Sequence, residues 1–289
     1  MKIRLLLIIL VFWPVYKLQA NDSLLYQMPR TQVVPIQSSQ LNRAYELYIK
    51  LPEGYEDEEN RNKEYPVIYF TDAKWHIDIL SGSTLFLIED TILVGISWQK
   101  DINKALIKEH GEHVSRFRDY SFLQSKKPKI QEKYQLGQAN SHLAFIRNDV
   151  FKFVESRYRT QPQNRSYFGY SAGGSFGAYV LISQPDTFKH YLLGSPALKG
   201  DIPFLTELVD RKALVEKGFN ANVFVTYGTK EKEAARDIDK LITLLTSKND
   251  STLLLKHQVI EGTHQTAFPL TGVSAVTWLA TQLNSEEKS

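Results

Sequence analysis

One stretch, residues 165–180, constrains the fold of this chain more than any other part of the sequence. An aromatic run ends in the motif Gly169-Tyr170-Ser171-Ala172-Gly173, and a segment rich in Ala, Tyr and Val follows it. This order predicts a strand, a sharp turn and a helix, with Ser171 at the tip of the turn. The flanking glycines lack a Cβ atom, so strand and helix can approach closely around a serine in strained geometry. The pattern is typical of a serine nucleophile.

The motif alone is weak evidence. With 15 Gly in 289 residues, it arises by chance in roughly one of twenty such chains. The alternative is a Gly- and Ser-rich turn between a strand and a helix that carries no chemistry. Partner residues in the correct chain order are needed to decide between the two.

The N-terminal segment, residues 1–20, has the three parts of a secretory signal peptide. A basic pair, an apolar run and a cleavage site follow one another: Lys2 and Arg4, residues 5–13, and Leu18-Gln19-Ala20. The apolar run is too short to span a bilayer, so we expect no membrane anchor after cleavage. The sequence therefore predicts a periplasmic or secreted protein whose mature part, residues 21–289, is one domain.

Charge and cysteine content exclude several classes of protein. Residues 1–20 hold three basic residues and no acidic ones, so the remainder has 32 Lys and Arg against 32 Asp and Glu, a formal net charge of zero. No basic stripe interleaved with aromatic residues occurs, and we expect no nucleic-acid partner. The absence of cysteine excludes disulfides, thiol catalysis and lipid attachment through an N-terminal cysteine.

Strands and helices alternate along the chain. The apolar patterns predict strands at 33–38, 44–51, 65–71, 91–97, 165–170, 191–193, 222–227 and 253–260. They predict helices at 142–158, directly after Ser171, and near Leu208, Ile242 and Trp278. This alternation is typical of an α/β fold with a mostly parallel sheet covered on both faces, and the N-terminal strand pair makes the sheet mixed.

Residues 98–137 interrupt this alternation as a polar insertion that leaves the end of a central strand. Long insertions at such strand ends often cover an active site, and we expect this one to do so. A solvated surface excursion is an equal alternative for its middle part.

His264 is the expected general base, because an imidazole can take the proton of a serine hydroxyl and His264 follows the last predicted strand. The expected acid is Glu231, which follows the preceding strand; Glu233 is second and Asp237 third. Alternatively, these acidic residues only occupy the first turn of the next helix. The other six histidines are expected at the surface or on helix flanks.

Two backbone amides, those of Ala172 and Ala73, are the expected donors of an oxyanion hole. Ala172 directly follows Ser171, and Ala73 lies in the loop after the strand at 65–71. His110 and His113, with Glu109 and Glu112, match no named metal-binding spacing. We expect neither a metal nor a cofactor.

Taken together, these elements resemble the putative-esterase family of α/β-hydrolases, which includes enterobactin- and salmochelin-type siderophore esterases. The resemblance rests on Tyr65-Pro66-Val67-Ile68-Tyr69-Phe70-Thr71-Asp72, Val94-Gly95-Ile96, Arg116-Phe117-Arg118-Asp119-Tyr120, Phe168-Gly169-Tyr170-Ser171-Ala172-Gly173-Gly174, Gly228-Thr229-Lys230-Glu231 and Gly262-Thr263-His264. It implies an α/β-hydrolase catalytic domain with Ser171 as nucleophile, Glu231 as acid and His264 as base.

Two departures from the family pattern concern the site. Ala73 stands where the family has Gly, and Tyr120-Ser121-Phe122 stands where Thr-Pro is usual.

The resemblance implies a serine esterase that acts through an acyl-enzyme on a small-molecule ester, with catecholate siderophore esters as one candidate substrate class. Trp98, Arg116 and Arg118 are the expected substrate-binding residues, since Arg binds carboxylates and stacks on rings. In the alternative interpretation, Arg118 and Asp119 form an ion pair that holds the loop, and Trp75 packs in the core. Hydrolysis of feruloyl or acetyl sugar esters, acyl transfer, and a catalytically silent binding protein of the same fold remain open.

Overall fold

The computed structural model describes residues 26–213, 218–247 and 249–286, so the predicted signal peptide lies outside the described residues. The described chain contains one eight-stranded sheet. Its strands are β1 Thr31–Gln37, β2 Ala44–Lys50, β3 Tyr65–Phe70, β4 Ile92–Ile96, β5 Thr160–Tyr170, β6 His190–Gly194, β7 Ala221–Gly228 and β8 Leu253–Ile260. They are ordered β1-β2-β4-β3-β5-β6-β7-β8 across the sheet.

Strand directions agree with the sequence pattern. The β1–β2 and β2–β4 pairs are antiparallel, whereas all pairs from β4 to β8 are parallel. β4 and β6 are buried along their whole length, as continuous apolar runs predict for strands covered on both faces. The predicted mostly parallel, mixed α/β sheet is therefore confirmed.

Ten α-helices lie in the described chain. They are α1 Ala73–Leu87, α2 Lys104–His110, α3 Arg116–Asp119, α4 Pro128–Tyr134, α5 Ala139–Phe145, α6 Phe151–Glu155, α7 Ala172–Ser183, α8 Ile202–Ala213, α9 Lys232–Thr246 and α10 Phe268–Glu286. Short 3-10 turns occupy Glu58–Asn60, Glu112–Ser115 and Pro185–Thr187. None of these helices is long and apolar enough to cross a membrane.

Alternate residues of each central strand enter two separate apolar clusters, because successive side chains of a strand point to opposite faces. Val67 and Tyr69 of β3 pack with α5–α9 on one face of the sheet. Ile68 and Phe70 pack with α1 and α10 on the other face. The core is thus two layers of side chains separated by the sheet.

Helix predictions were confirmed in part. α8, α9 and α10 contain the predicted centres Leu208, Ile242 and Trp278. The helix predicted at 142–158 is interrupted by a π-helical turn at Ile146–Val150. α1 was not predicted, and the insertion at 98–137 contains three short α-helices. This insertion packs beside the carboxyl end of β4, at the edge of the sheet where ligands bind in open α/β folds.

Candidate active site

Ser171 lies in a tight turn between the end of β5 and the start of α7. Its backbone has φ 57° and ψ −119°, a conformation that non-glycine residues adopt rarely and at a cost of about 1–3 kcal/mol. The neighbouring loop after β6 holds the turn, because the Ser171 N–H donates to the Gly194 carbonyl at 2.9 Å and the Ala197 N–H donates to the Ser171 carbonyl at 3.2 Å. The serine is therefore fixed by backbone hydrogen bonds on both sides.

The two glycines of the motif are required by close packing. A Cβ atom on Gly169 would lie 2.4 Å from the carbonyl oxygen of Gly173, and one on Gly173 would lie 2.5 Å from Oγ1 of Thr71. The predicted role of these glycines in close approach is confirmed. Gly173 also brings the start of α7 against the loop that begins α1.

His264 and Glu231 form a short hydrogen bond. Nδ1 of His264 lies 2.6 Å from Oε1 of Glu231, whose side chain is 6% exposed. The other carboxylate oxygen accepts from the Gly228 N–H at 2.6 Å and from Oγ of Ser195 at 2.8 Å. Because a carboxylate only accepts, Nδ1 of His264 carries the proton, and Nε2 is left with its lone pair.

Of the three acidic residues considered, Glu231 is the one that contacts His264 among the described residues. Glu233 is exposed in the first turn of α9, and Asp237 pairs with Lys240 at 2.9 Å further along that helix. Both have the surface helical position that the alternative interpretation gave to the whole group.

Two residues that the sequence analysis did not select, Tyr170 and Ser195, connect the histidine to its surroundings. The Tyr170 hydroxyl donates to the His264 carbonyl at 2.6 Å, and the two rings are 5.1 Å apart. Burial, reinforced by the charge of Glu231, raises the pKa of Tyr170 to about 12, so the hydroxyl keeps its proton at neutral pH. Ser195 is buried with φ 39°. Its position directly after β6 is the one sequence signal that could have identified it.

The Ser171 hydroxyl makes no hydrogen bond to any residue in the described part of the chain. His264 contacts the residue before Ser171, since its ring lies 5.1 Å from the Tyr170 ring and its carbonyl accepts from the Tyr170 hydroxyl. Catalytic hydrogen bonds in ligand-free enzymes are often long and shorten only in the substrate complex. The lack of a direct hydrogen bond to Ser171 is therefore compatible with a serine and a base that meet only in a substrate complex.

Both expected oxyanion donors occupy the first position of a helix. Ala172 begins α7 and Ala73 begins α1. N–H groups in the first turn of a helix have no partner within that helix, and the helix dipole there favours negative charge. Gly173 packs against Thr71, so the start of α7 lies beside the loop that leads into α1 and the Ala73 amide.

Asp72, the residue before α1, holds the insertion against this site. It is fully buried and has a left-handed backbone with φ 57°. Its carboxylate accepts from Nε1 of Trp98 at 2.6 Å, from the Arg116 guanidinium at 2.8 Å and from the Tyr120 hydroxyl at 3.3 Å. Asp72 thereby fixes the residues that surround the start of α1.

The three expected substrate-binding residues have different environments. Trp98 is 7% exposed with its N–H bound to Asp72, and Arg118 is 8% exposed and donates to Asp119 and Gln99. Neither lines the cavity described below, and the polar groups of both are paired inside the protein. Arg116 does line it.

Trp75, by contrast, is not the core residue of the alternative interpretation. Its side chain is 46% exposed. Its ring contacts Trp98 edge-on at 4.7 Å, and the Arg116 guanidinium lies 5.0 Å from its centre. Trp75 therefore presents an open aromatic surface next to the start of α1.

A cavity of about 530 Å³ adjoins the serine turn. Ala172 and Ser175 of α7 form one wall, and Asp201 lies on the loop that leads to α8. The remaining wall comes mainly from apolar and aromatic residues of the insertion: Phe117, Phe122, Leu123, Tyr134 and Leu136. The sequence analysis treated this insertion as polar and missed them.

The remaining histidines do not all lie at the surface or on helix flanks, as was expected. His76, His142 and His190 are almost fully buried, and burial lowers their pKa values to about 4, 4 and 3. His110 instead contacts the Tyr134 hydroxyl at 2.7 Å. In the described ranges, no group of three or more His, Cys, Asp or Glu side chains could hold a metal ion.

Comparison with known proteins identifies relatives of this chain. The model of the family described as "Putative esterase" matches residues 38–286. The chain is 26% identical over 223 residues to the ferri-bacillibactin esterase BesA of Bacillus subtilis, and this alignment covers 72% of each chain.

Solved structures share the fold. The BES protein from Bacillus cereus superimposes with a TM-score of 0.72 at 19% identity, over 89% of this chain and 97% of that one. An IroE-like serine hydrolase from Shewanella oneidensis gives a TM-score of 0.69 at 22% identity, over 87% of this chain and 80% of that one. The expected α/β-hydrolase fold is thereby confirmed.

Proposed function

The chain belongs to this putative-esterase family, and we propose that it hydrolyses carboxylic esters through a covalent acyl-enzyme on Ser171. The observation that carries the proposal is the 2.6 Å hydrogen bond between His264 and the buried Glu231 carboxylate, beside the strained turn that presents Ser171. A nucleophile, a base and a group that orients the base are the parts that this chemistry needs.

In the first half of the reaction, Nε2 of His264 takes the Ser171 proton while Oγ bonds to the ester carbonyl carbon. Glu231 holds the Nδ1 proton and stabilises the imidazolium that forms. The carbonyl π electrons move onto oxygen, and the amides of Ala172 and Ala73 donate to this oxyanion. When the carbonyl reforms, the bond to the alcohol oxygen breaks and His264 returns the proton to that oxygen.

In the second half, water replaces the alcohol. His264 removes a proton from water, the water oxygen bonds to the acyl carbon, and the oxyanion occupies the same two amides. Collapse of this intermediate breaks the bond to Oγ, and Ser171 recovers its proton from His264. The products are a carboxylic acid and an alcohol, and no cofactor is consumed.

For the substrate, we propose a siderophore-type ester with aromatic arms. One support is the likeness to a ferri-bacillibactin esterase. The other is the exposed aromatic surface of Trp75 and Phe117, with the Arg116 guanidinium 5.0 Å from the Trp75 ring. Aromatic faces and guanidinium groups bind planar rings by stacking and cation–π attraction.

Export is part of the same proposal. The charged, apolar and small-residue parts of residues 1–20 support cleavage after Ala20 and a periplasmic or secreted location. The intact mass of the protein recovered from cells tests this. A chain that begins at Asn21 agrees with export, and a chain that still begins at Met1 contradicts it.

A substrate panel tests the activity. Purified wild type, Ser171→Ala and Ser183→Ala, the last at the far end of the same helix, are compared on enterobactin-type trilactones, feruloyl sugars, acetylated sugars and simple acyl esters. We expect Ser171→Ala to lose several orders of magnitude in turnover and Ser183→Ala to keep it. Wild-type turnover by Ser171→Ala would refute the mechanism, and faster cleavage of the sugar esters would refute the siderophore assignment.

A further inference from the structure

The cavity beside the serine turn has room for one arm of an ester substrate. Its volume of about 530 Å³ lies within the ordinary range of small-molecule pockets. Ala172, whose amide is a proposed oxyanion donor, lines it. A group bound there would therefore be attached close to the reacting carbonyl.

Two charged side chains, Arg116 and Asp201, line this otherwise largely apolar and aromatic cavity. The Arg116 guanidinium is paired with the Asp72 carboxylate at 2.8 Å and lies over the rings of Trp75 and Tyr120. Its charge is therefore already compensated by the protein.

Asp201 is in the opposite situation. Within the described ranges, its half-buried carboxylate makes neither a hydrogen bond nor an ion pair. Burial, with a contribution from the charge of Asp237, raises the pKa of Asp201 to about 6. A carboxylate partly withdrawn from water without donors carries a desolvation cost, and a ligand that brings a donor relieves that cost.

We propose that this cavity selects an ester arm that carries a hydrogen-bond donor, a hydroxyl or an ammonium group, and that the Asp201 carboxylate accepts from it. The proposal rests on the proposed esterase function and specifies the substrate class of the same site. The aromatic and aliphatic wall contacts the body of the arm, and Asp201 accepts a hydrogen bond from its polar end. An arm ending in a carboxylate is disfavoured, because two like charges would meet in a partly buried site.

A matched ester series tests the selection. Phenylpropanoyl esters that carry hydrogen, hydroxyl, aminomethyl or carboxyl at the para position are compared by kcat/KM, and a second series places the same rings in the alcohol part. The proteins are wild type, Asp201→Asn and Asp237→Asn. Asp237 is the control for charge without contact: its charge contributes to the raised pKa of Asp201, but its carboxylate pairs with Lys240 and it does not line the cavity.

We expect wild type to prefer a donor-bearing arm over the unsubstituted ring by about tenfold or more in at least one series. Asp201→Asn should reduce that ratio at least fivefold, and Asp237→Asn should keep it. A preference for the hydroxyl arm or for the aminomethyl arm shows whether the donor is a hydroxyl or an ammonium group. Equal rates for all arms, a preference for the carboxyl arm, or an unchanged ratio in Asp201→Asn would overturn the proposal.

Binding measurements separate this proposal from the esterase function. The corresponding amides, which resist hydrolysis, are titrated calorimetrically into Ser171→Ala, with and without Asp201→Asn. If no ester is cleaved but the donor-bearing amides still bind about tenfold more tightly through Asp201, the esterase function fails and the cavity assignment stands. Equal binding of all amides contradicts the cavity assignment whatever the hydrolysis result.

Discussion

Replacing Ser195 by alanine removes one of the three hydrogen bonds that the Glu231 carboxylate accepts, the other two being those from Gly228 and His264. Hydrogen bonds to charged groups contribute about 1.5–3 kcal/mol, and each 1.4 kcal/mol corresponds to tenfold in rate. Because the same carboxylate oxygen keeps the 2.6 Å bond from the Gly228 N–H, it is not left unpaired. We therefore expect the lower end of that range, a loss of about tenfold in kcat.

The assay is steady-state hydrolysis of a chromogenic short-chain ester, with KM and thermal stability measured alongside. KM should be unchanged, because Ser195 is 1% exposed and does not line the cavity. Ser166→Ala is the matched control. Ser166 is equally buried in the sheet, and its hydroxyl has no hydrogen-bond partner among the described residues.

The two variants separate positioning from packing. We expect Ser166→Ala to stay within twofold of wild type in kcat, because no hydrogen bond is removed. If Ser195→Ala also stays within twofold, Ser195 does not support Glu231. If both variants lose activity and stability in parallel, the effect is one of core packing, and the proposed hydrogen-bond contribution is wrong.

Three further predictions follow from the geometry. Glu231→Gln should lose most of kcat while Glu233→Gln keeps it, and the reverse result would reassign the acid. Gly173→Ala should abolish activity and lower Tm, because its Cβ would lie 2.5 Å from Oγ1 of Thr71; a wild-type Tm and rate would contradict this. Burial lowers the pKa of His142 from 6.5 to about 4, so in this window the unfolded chain binds a proton that the folded chain does not. His142 should contribute about 1.4 kcal/mol per pH unit to the loss of stability on acidification. His76 and His190 act in the same direction, so His142→Phe should reduce the slope of Tm against pH without abolishing it; an unchanged slope would refute this.

Much of the sheet could be predicted from the sequence because its signal is local. Buried strands of a parallel sheet are continuous apolar runs, and β8 has the bounds that its pattern predicted, residues 253–260. The turn around Ser171 could also be predicted from the sequence, since the glycine spacing reflects a contact between residues four apart, Gly169 and Gly173.

α1 was not predicted because it is weakly amphipathic, with Ser81, Gly82 and Ser83 in the middle of its sequence. Packing against α10 and the sheet stabilises it despite this unfavourable composition. The three buried histidines were missed for a similar reason. Histidine is intermediate in burial as a residue type, and only the assembled core shows which ones lose contact with water.

Part of the candidate site depends on residues that are far apart in sequence. Ser195 reaches Glu231 across 36 positions, and Asp72 reaches Arg116 across 44. Neither pair has a local pattern, because each forms only when separate strand ends and the insertion meet at one edge of the sheet. The order of serine, acid and histidine along the chain was visible in the sequence, whereas their supporting contacts were not.

Covalent labelling with a fluorophosphonate tests the central claim, that Ser171 is a nucleophile activated by His264 and Glu231. The folded protein is treated with the probe, digested, and the modified residue located by mass spectrometry. We predict one adduct per chain on Ser171, formed much more slowly in His264→Ala and Glu231→Gln. No adduct on Ser171 in the folded wild type, or equal labelling rates in all three proteins, would contradict the account.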